Sequence, residues 1–118
     1  MLEGIRLAIS ETNHSIYQAA SENAEYKGMG TTVVAVLLSG PRIYIGHVGD
    51  SRLFCFTQNR LSKLTKDHSL FQDFVDRGLY TEEQARAASV SHILTRSVGL
   101  KVQVEIDAPT AELQPDDL

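Results

Sequence analysis

From residue 2 to residue 25 the apolar positions Leu2, Ile5, Ile9, Ile16 and Ala20 recur at spacings near 3.6. That period predicts an amphipathic helix with one buried stripe. Asn13 interrupts the stripe, and Gly28 and Gly30 end the segment. The pattern then changes. Thr31 to Leu38 is β-branched and almost continuously apolar, which predicts a strand buried on both faces. Ser39-Gly40-Pro41-Arg42 is a turn cluster, so Ile43 to Val48 is expected to return antiparallel to the first strand. Gly49-Asp50 interrupts this run. Ser51 to Phe56 reads as a third strand, Thr57 to Arg60 as a polar turn, and Leu61 to Leu64 as the start of a fourth strand.

Beyond residue 66 the period becomes helical. Leu70, Phe71, Phe74 and Val75 share one helix face, with Asp67 or Ser69 as its cap and Gly78 as its end. Thr81 and Gln84 have capping-box spacing, and Glu82 and Glu83 suit the N-terminal dipole of a second short helix. Residues 92–97 favour neither period. Val102 to Ile106 alternates like a half-exposed strand, and Pro115-Asp116-Asp117 reads as a turn. A helix, a β-meander, a helical insertion and a strand in that order predict an α+β fold with a mostly antiparallel sheet.

Composition narrows the function. The 118 residues suit one domain, and 42% hydrophobic against 22% charged residues is an ordinary globular balance. A net charge of −4 argues against nucleic acid as a partner and is compatible with carboxylates around divalent cations. A single cysteine, Cys55, excludes an intrachain disulfide and fits a reducing compartment. No apolar run approaches the ~20 residues that span a membrane, and the first residues lack the pattern of a signal peptide. The expected location is the cytoplasm.

The stretch His47-Val48-Gly49-Asp50-Ser51-Arg52 holds the best candidate chemistry. A Gly-Asp pair between two strands puts a carboxylate at a kink, where glycine permits close approach and the side chain can leave the sheet. Such a carboxylate suits a hard cation; the plainer alternative is turn chemistry. Ser51 and Arg52 are candidate phosphate-binding groups, against a strand-end serine and a solvated arginine. His47 lies in an apolar strand and reads as a packed histidine. His68 beside Asp67 admits a catalytic dyad, but a helix cap is simpler. Cys55 lies mid-strand, and Arg60 stands one residue too close for the Cys-x5-Arg of a cysteine phosphatase. Gly28-Met29-Gly30 follows a helix and lacks the Lys-Ser/Thr of a phosphate loop.

Taken in register, several of these segments resemble the 2C-type (PPM) metal-dependent Ser/Thr protein phosphatases in their bacterial form. They are Gly28-Met29-Gly30-Thr31-Thr32 before an apolar strand, Gly49-Asp50-Ser51-Arg52, and Leu64-Thr65-Lys66-Asp67-His68-Ser69. Leu70 to Ala85, Ile93 to Gly99 and Leu113 to Asp117 extend the resemblance over nearly the whole chain.

The resemblance implies part of a β-sandwich of two antiparallel sheets flanked by helices, in one domain over residues 1–118. It implies hydrolysis of phosphoserine and phosphothreonine in phosphoproteins by a water held between two Mn2+ or Mg2+ ions. It places Asp50 in a third, accessory metal site and makes residues 69–92 a flap that bears on substrate choice and turnover. The family's Arg-x-x-Asn-x-Asp, Asp-Gly-Met-Gly-Gly, Asp-Gly and Gly-x-x-Asp-Asn segments do not occur, and Lys27 stands where the second would have its aspartate. The expectation is therefore the central part of a phosphatase with no complete catalytic set, inactive alone and prone to self-association through exposed sheet edges. The alternative is a non-catalytic phosphatase-like module that binds phosphoproteins or regulates a partner.

Overall fold

In the computed structural model, residues 1–78, 81, 83–84 and 94–118 are described. The opening period produces helix α1 (Leu2–Glu22), whose buried positions are Ile5, Ile9 and Asn13. Asn23 ends it and its side chain accepts from the Glu25 N–H, capping a short 3-10 turn at Ala24–Tyr26.

Strands β1 (Val33–Ser39) and β2 (Arg42–Val48) form an antiparallel hairpin in which Val33 faces Val48 and Ser39 faces Arg42. Its two-residue turn is Gly40 at φ +60° followed by Pro41, an order that fits the right-handed twist of the flanking strands. Strands β3 (Phe54–Thr57) and β4 (Arg60–Lys63) form a second hairpin. Here Gln58 and Asn59 both take positive φ, as a type I′ turn demands. Helix α2 (Leu70–Asp76) follows, and β5 (Thr110–Glu112) returns to pair antiparallel with β2. The result is a three-stranded sheet ordered β1-β2-β5 and a two-stranded sheet β3-β4, an α+β fold with antiparallel strands.

Alternation along β2 divides the interior. Tyr44, Gly46 and Val48 face α1, where Ile5, Ile9, Val48, Val98 and Ile106 form the core cluster. A methyl group at Gly46 would meet Ile5 Cγ2 at 2.2 Å, so the helix axis lies directly over that strand. Ile43, Ile45 and His47 point to the opposite side and are also buried.

The structure corrects two expectations and decides between the two candidates of a third. β1 is not buried on both faces, since Val36 and Leu38 are 44% and 65% exposed, and among the described residues it lies at the sheet edge. Its continuous apolar run looked like a central strand because local sequence does not report which edge is left unpaired. Val102 to Ile106 forms no strand; its backbone bonds Asn13 instead of a ladder, while β5 forms at Thr110–Glu112. The helix cap is Ser69, whose Oγ accepts from the Gln72 N–H; Asp67 pairs elsewhere. The capping box of the second short helix is made, with Thr81 and Gln84 exchanging hydrogen bonds of 3.0 and 3.2 Å. The body of that helix, and residues 92 and 93 of the ambiguous stretch 92–97, lie outside the described residues; Leu94 forms an isolated antiparallel bridge with Ser69.

Candidate functional site

The chain leaves β2 at Val48 and turns through Gly49, which sits at φ +105°. A Cβ at Gly49 would lie 2.4 Å from Thr32 Cγ2, so only glycine lets the two segments approach. Asp50 follows, half-buried. Its carboxylate takes no hydrogen bond and no ion pair among the described residues, although its charge contributes to raising the Arg52 pKa. An uncommitted carboxylate at a glycine kink is a suitable oxygen ligand for a divalent cation. It is one ligand and not a complete site, since the described acidic and histidine side chains that gather within ligand distance do not include it.

Ser51 and Arg52 are both engaged. Ser51 Oγ lies 2.6 Å from Thr32 Oγ1. Arg52 donates through Nε and Nη2 to Asp67, the shortest bond being 2.7 Å, and Lys63 Nζ reaches the same carboxylate at 2.9 Å. Burial alone would raise the Asp67 pKa, but the bonds from Arg52 and Lys63 hold it below the usual carboxylate value. This bidentate pair braces the chain after the kink against the chain before α2.

His47 and His68 stack, with ring centroids 4.7 Å apart and planes 13° from parallel. His47 is almost fully buried and its Nδ1 has no hydrogen-bond partner among the described residues. Burial, helped by the neighbouring His68, pushes its pKa below the ordinary 6.5, although Asp107 acts the other way. His68 is bonded on every side. Its N–H donates to the Gly49 carbonyl and its carbonyl accepts from the Thr95 N–H, both at 3.0 Å. Its Nδ1 accepts from the Gly49 N–H at 3.0 Å, and Nε2 lies 2.8 Å from Asp107 Oδ2. Asp107 is held in turn by Arg96 Nη1 at 2.9 Å and by backbone bonds with His47. Burial would raise the Asp107 pKa, but hydrogen bonds from His68 and Arg96 bring it below the usual value.

His68 therefore pairs with Asp107, not with its sequence neighbour Asp67, and neither aspartate makes it a helix cap. Asp107 and Arg96 carried no local signal, since Asp107 meets His68 across 39 residues. Cys55 is buried, and burial with the nearby Asp117 raises its thiol pKa, which disfavours a thiolate nucleophile. A cleft bounded by Lys66, Arg77, Arg96, Lys101 and Asp107 opens beside the histidine pair, and Asp50 is not among its lining residues.

The family model for protein phosphatase 2C matches residues 2–73. A serine/threonine phosphatase of Listeria welshimeri is 34% identical over 113 residues, covering 96% of this chain and 45% of that protein. The crystal structure of the serine/threonine phosphatase Stp1 from Staphylococcus aureus superposes with a TM-score of 0.89 at 35% identity, over 94% of this chain and 44% of the other. The catalytic domain of the serine/threonine protein phosphatase PstP, solved with two manganese ions, gives a TM-score of 0.83 at 30% identity, over 98% of this chain and 47% of the other. The chain thus spans a little under half the length of the relatives it matches.

Proposed function

The chain belongs to the protein phosphatase 2C family, and from that premise we propose that it forms the central part of a metal-dependent protein serine/threonine phosphatase. The reaction is hydrolysis of phosphoserine and phosphothreonine in phosphoproteins. The observation that carries this reading is the Asp50 carboxylate, uncommitted at a corner that the surrounding side chains hold rigidly. Asp50 is the ligand of an accessory divalent ion, Mn2+ or Mg2+. The two principal ions that the family resemblance implies would lower the pKa of a shared water and offset charge on the phosphoryl group; Asp50 would hold the accessory ion beside them. Arg52 keeps Nη1 outside its pair with Asp67, and it and Ser51 are the groups next in sequence to Asp50 for a phosphoryl oxygen. Residues 69–92 act as the flap, with α2 as its described beginning. The compartment we assign is the cytoplasm; among the described residues no helix is long and apolar enough to cross a membrane.

One carboxylate cannot hold two divalent ions, so this chain alone turns over little or no phosphate ester. A p-nitrophenyl phosphate assay with Mn2+ checks this. Turnover well above background that Asp50→Ala abolishes would show a complete site and overturn the inactive reading. Mn2+ titration followed by amide relaxation tests the metal role: broadening centred on Asp50 is expected, and its absence sinks the assignment.

We infer as a second reading a non-catalytic phosphopeptide-binding module, supported by two basic side chains of the cleft that have no ion pair among the described residues. In a lining that also holds five carboxylates, Lys66 pairs with Asp76 and Arg96 with Asp107, which leaves Arg77 and Lys101 as donors for phosphate oxygens. Saturable binding of a phosphoserine peptide without hydrolysis, weakened by Lys101→Ala, favours this module; no saturable binding removes it.

A further inference from the structure

Resting on the reading of Asp50 as a metal ligand, we propose that His68, braced by Asp107, is the positioning residue for the Gly49–Asp50 corner. Gly49 has two backbone polar groups, and both are bonded to one residue. The Gly49 N–H donates to His68 Nδ1 and the Gly49 carbonyl accepts from the His68 N–H, each at 3.0 Å. The first group belongs to the peptide plane entering Gly49 and the second to the plane leaving it. Fixing both planes fixes φ and ψ at the one position whose φ of +105° an L side chain rarely adopts. The leaving plane ends on the Cα of Asp50. The direction in which that carboxylate leaves the sheet is therefore set from residue 68.

The ring needs its own support, because an imidazole without a second bond can turn away. Asp107 Oδ2 supplies it at 2.8 Å, Arg96 holds Asp107 Oδ1, and the His47 backbone holds the Asp107 backbone. The order of donors is forced. A backbone N–H can only donate, so Nδ1 must be unprotonated, and the ring proton sits on Nε2 facing Asp107. This also decides what the trio of His47, His68 and Asp107 is. Their ligand atoms lie within 4.8 Å of one another. A cation on His68 Nε2 would move the proton to Nδ1, where it would point at the Gly49 N–H. The trio is a hydrogen-bond brace and not a cation site.

Nitrogen-15 NMR of the unmodified chain tests the donor order directly: the proton is expected on His68 Nε2, and a proton on Nδ1 overturns the proposal. Two substitutions separate the ring's two roles. The side-chain oxygen of His68→Asn lies near the Nδ1 position and keeps an acceptor for Gly49. His68→Gln reaches toward the Nε2 position and leaves the Gly49 N–H without one. Amide exchange at Gly49 is expected to speed up about tenfold or more in His68→Gln and by clearly less, about threefold, in His68→Asn, which keeps the acceptor but loses the bond to Asp107. The Mn2+ concentration that broadens the Asp50 and Ser51 amides is expected to rise about threefold or more in His68→Gln alone. Equal Gly49 exchange in wild type and His68→Gln overturns the proposal, as does equal damage in both variants. Absence of Mn2+ broadening in the wild type defeats the metal reading of Asp50, while the amide exchange still decides the brace.

Discussion

Gly49 and Asp50 are neighbours with opposite demands on the fold. Gly49→Ala forces a methyl group to within 2.4 Å of Thr32 Cγ2 at a φ of +105°, and it is expected to cost about 2–4 kcal/mol in urea unfolding. Asp50→Asn removes a charge with no hydrogen bond or ion pair among the described residues, so stability should move by less than about 0.5 kcal/mol. A large loss in Asp50→Asn would show that the carboxylate has a structural partner. His47 sets a pH dependence. Its folded pKa is depressed below 6.5, so its contribution to stability is full above that value and is lost as pH falls through the folded pKa. Each such proton changes stability by up to about 1.4 kcal/mol per pH unit. The urea midpoint should therefore drop between pH 7 and pH 5, and His47→Phe should remove part of that slope. The kink at Gly49-Asp50 was legible in the sequence because a Gly-Asp pair between two strands is a local pattern. The partner of His68 was not, because Asp67 stood next to it in sequence and Asp107 only in space.

Helix α1 shows what periodicity can and cannot say. The stripe of Ile5 and Ile9 was readable, and the structure seats it over Gly46. Ile9→Ala should cost about 2–4 kcal/mol, measurable by chemical denaturation, because rigid β2 cannot collapse into the space. Asn13 looked like an interruption of the stripe. It is instead buried, donating to the carbonyls of Lys101 and Val102 and accepting from the Gly99 N–H at 2.6 Å. A polar residue on an apolar face signals a backbone to be bonded, but nothing local says which backbone. The same bonds take the backbone at the start of the alternating run Val102 to Ile106, which forms no strand. Its carbonyls at residues 101 and 102 are taken by a helix side chain. Turn chemistry was more dependable: Gly40-Pro41 and Asn59 carry their backbone preference locally, while Gln58 takes a positive φ that its own residue type does not favour.

At the scale of the molecule, antiparallel pairing and the sheet order follow from contacts no short window contains. Among the described residues the outer edge of β1 has no partner, and Val36 and Leu38 are exposed along it. Edge strands of this kind pair with other chains. Sedimentation at high protein concentration is expected to show self-association that Leu38→Lys diminishes; a monodisperse monomer in both rules out this edge as an interface. The bond from His68 to Asp107 spans 39 residues, and the Arg42–Glu112 ion pair between β2 and β5 spans 70. Those separations set a timetable. The two hairpins close over two-residue turns and can form in microseconds, whereas the β2–β5 pairing must first close a long loop. During synthesis the Gly49 corner emerges from the ribosome well before the aspartate that steadies His68. The kink is thus the first part of this region to be made and the last to become rigid.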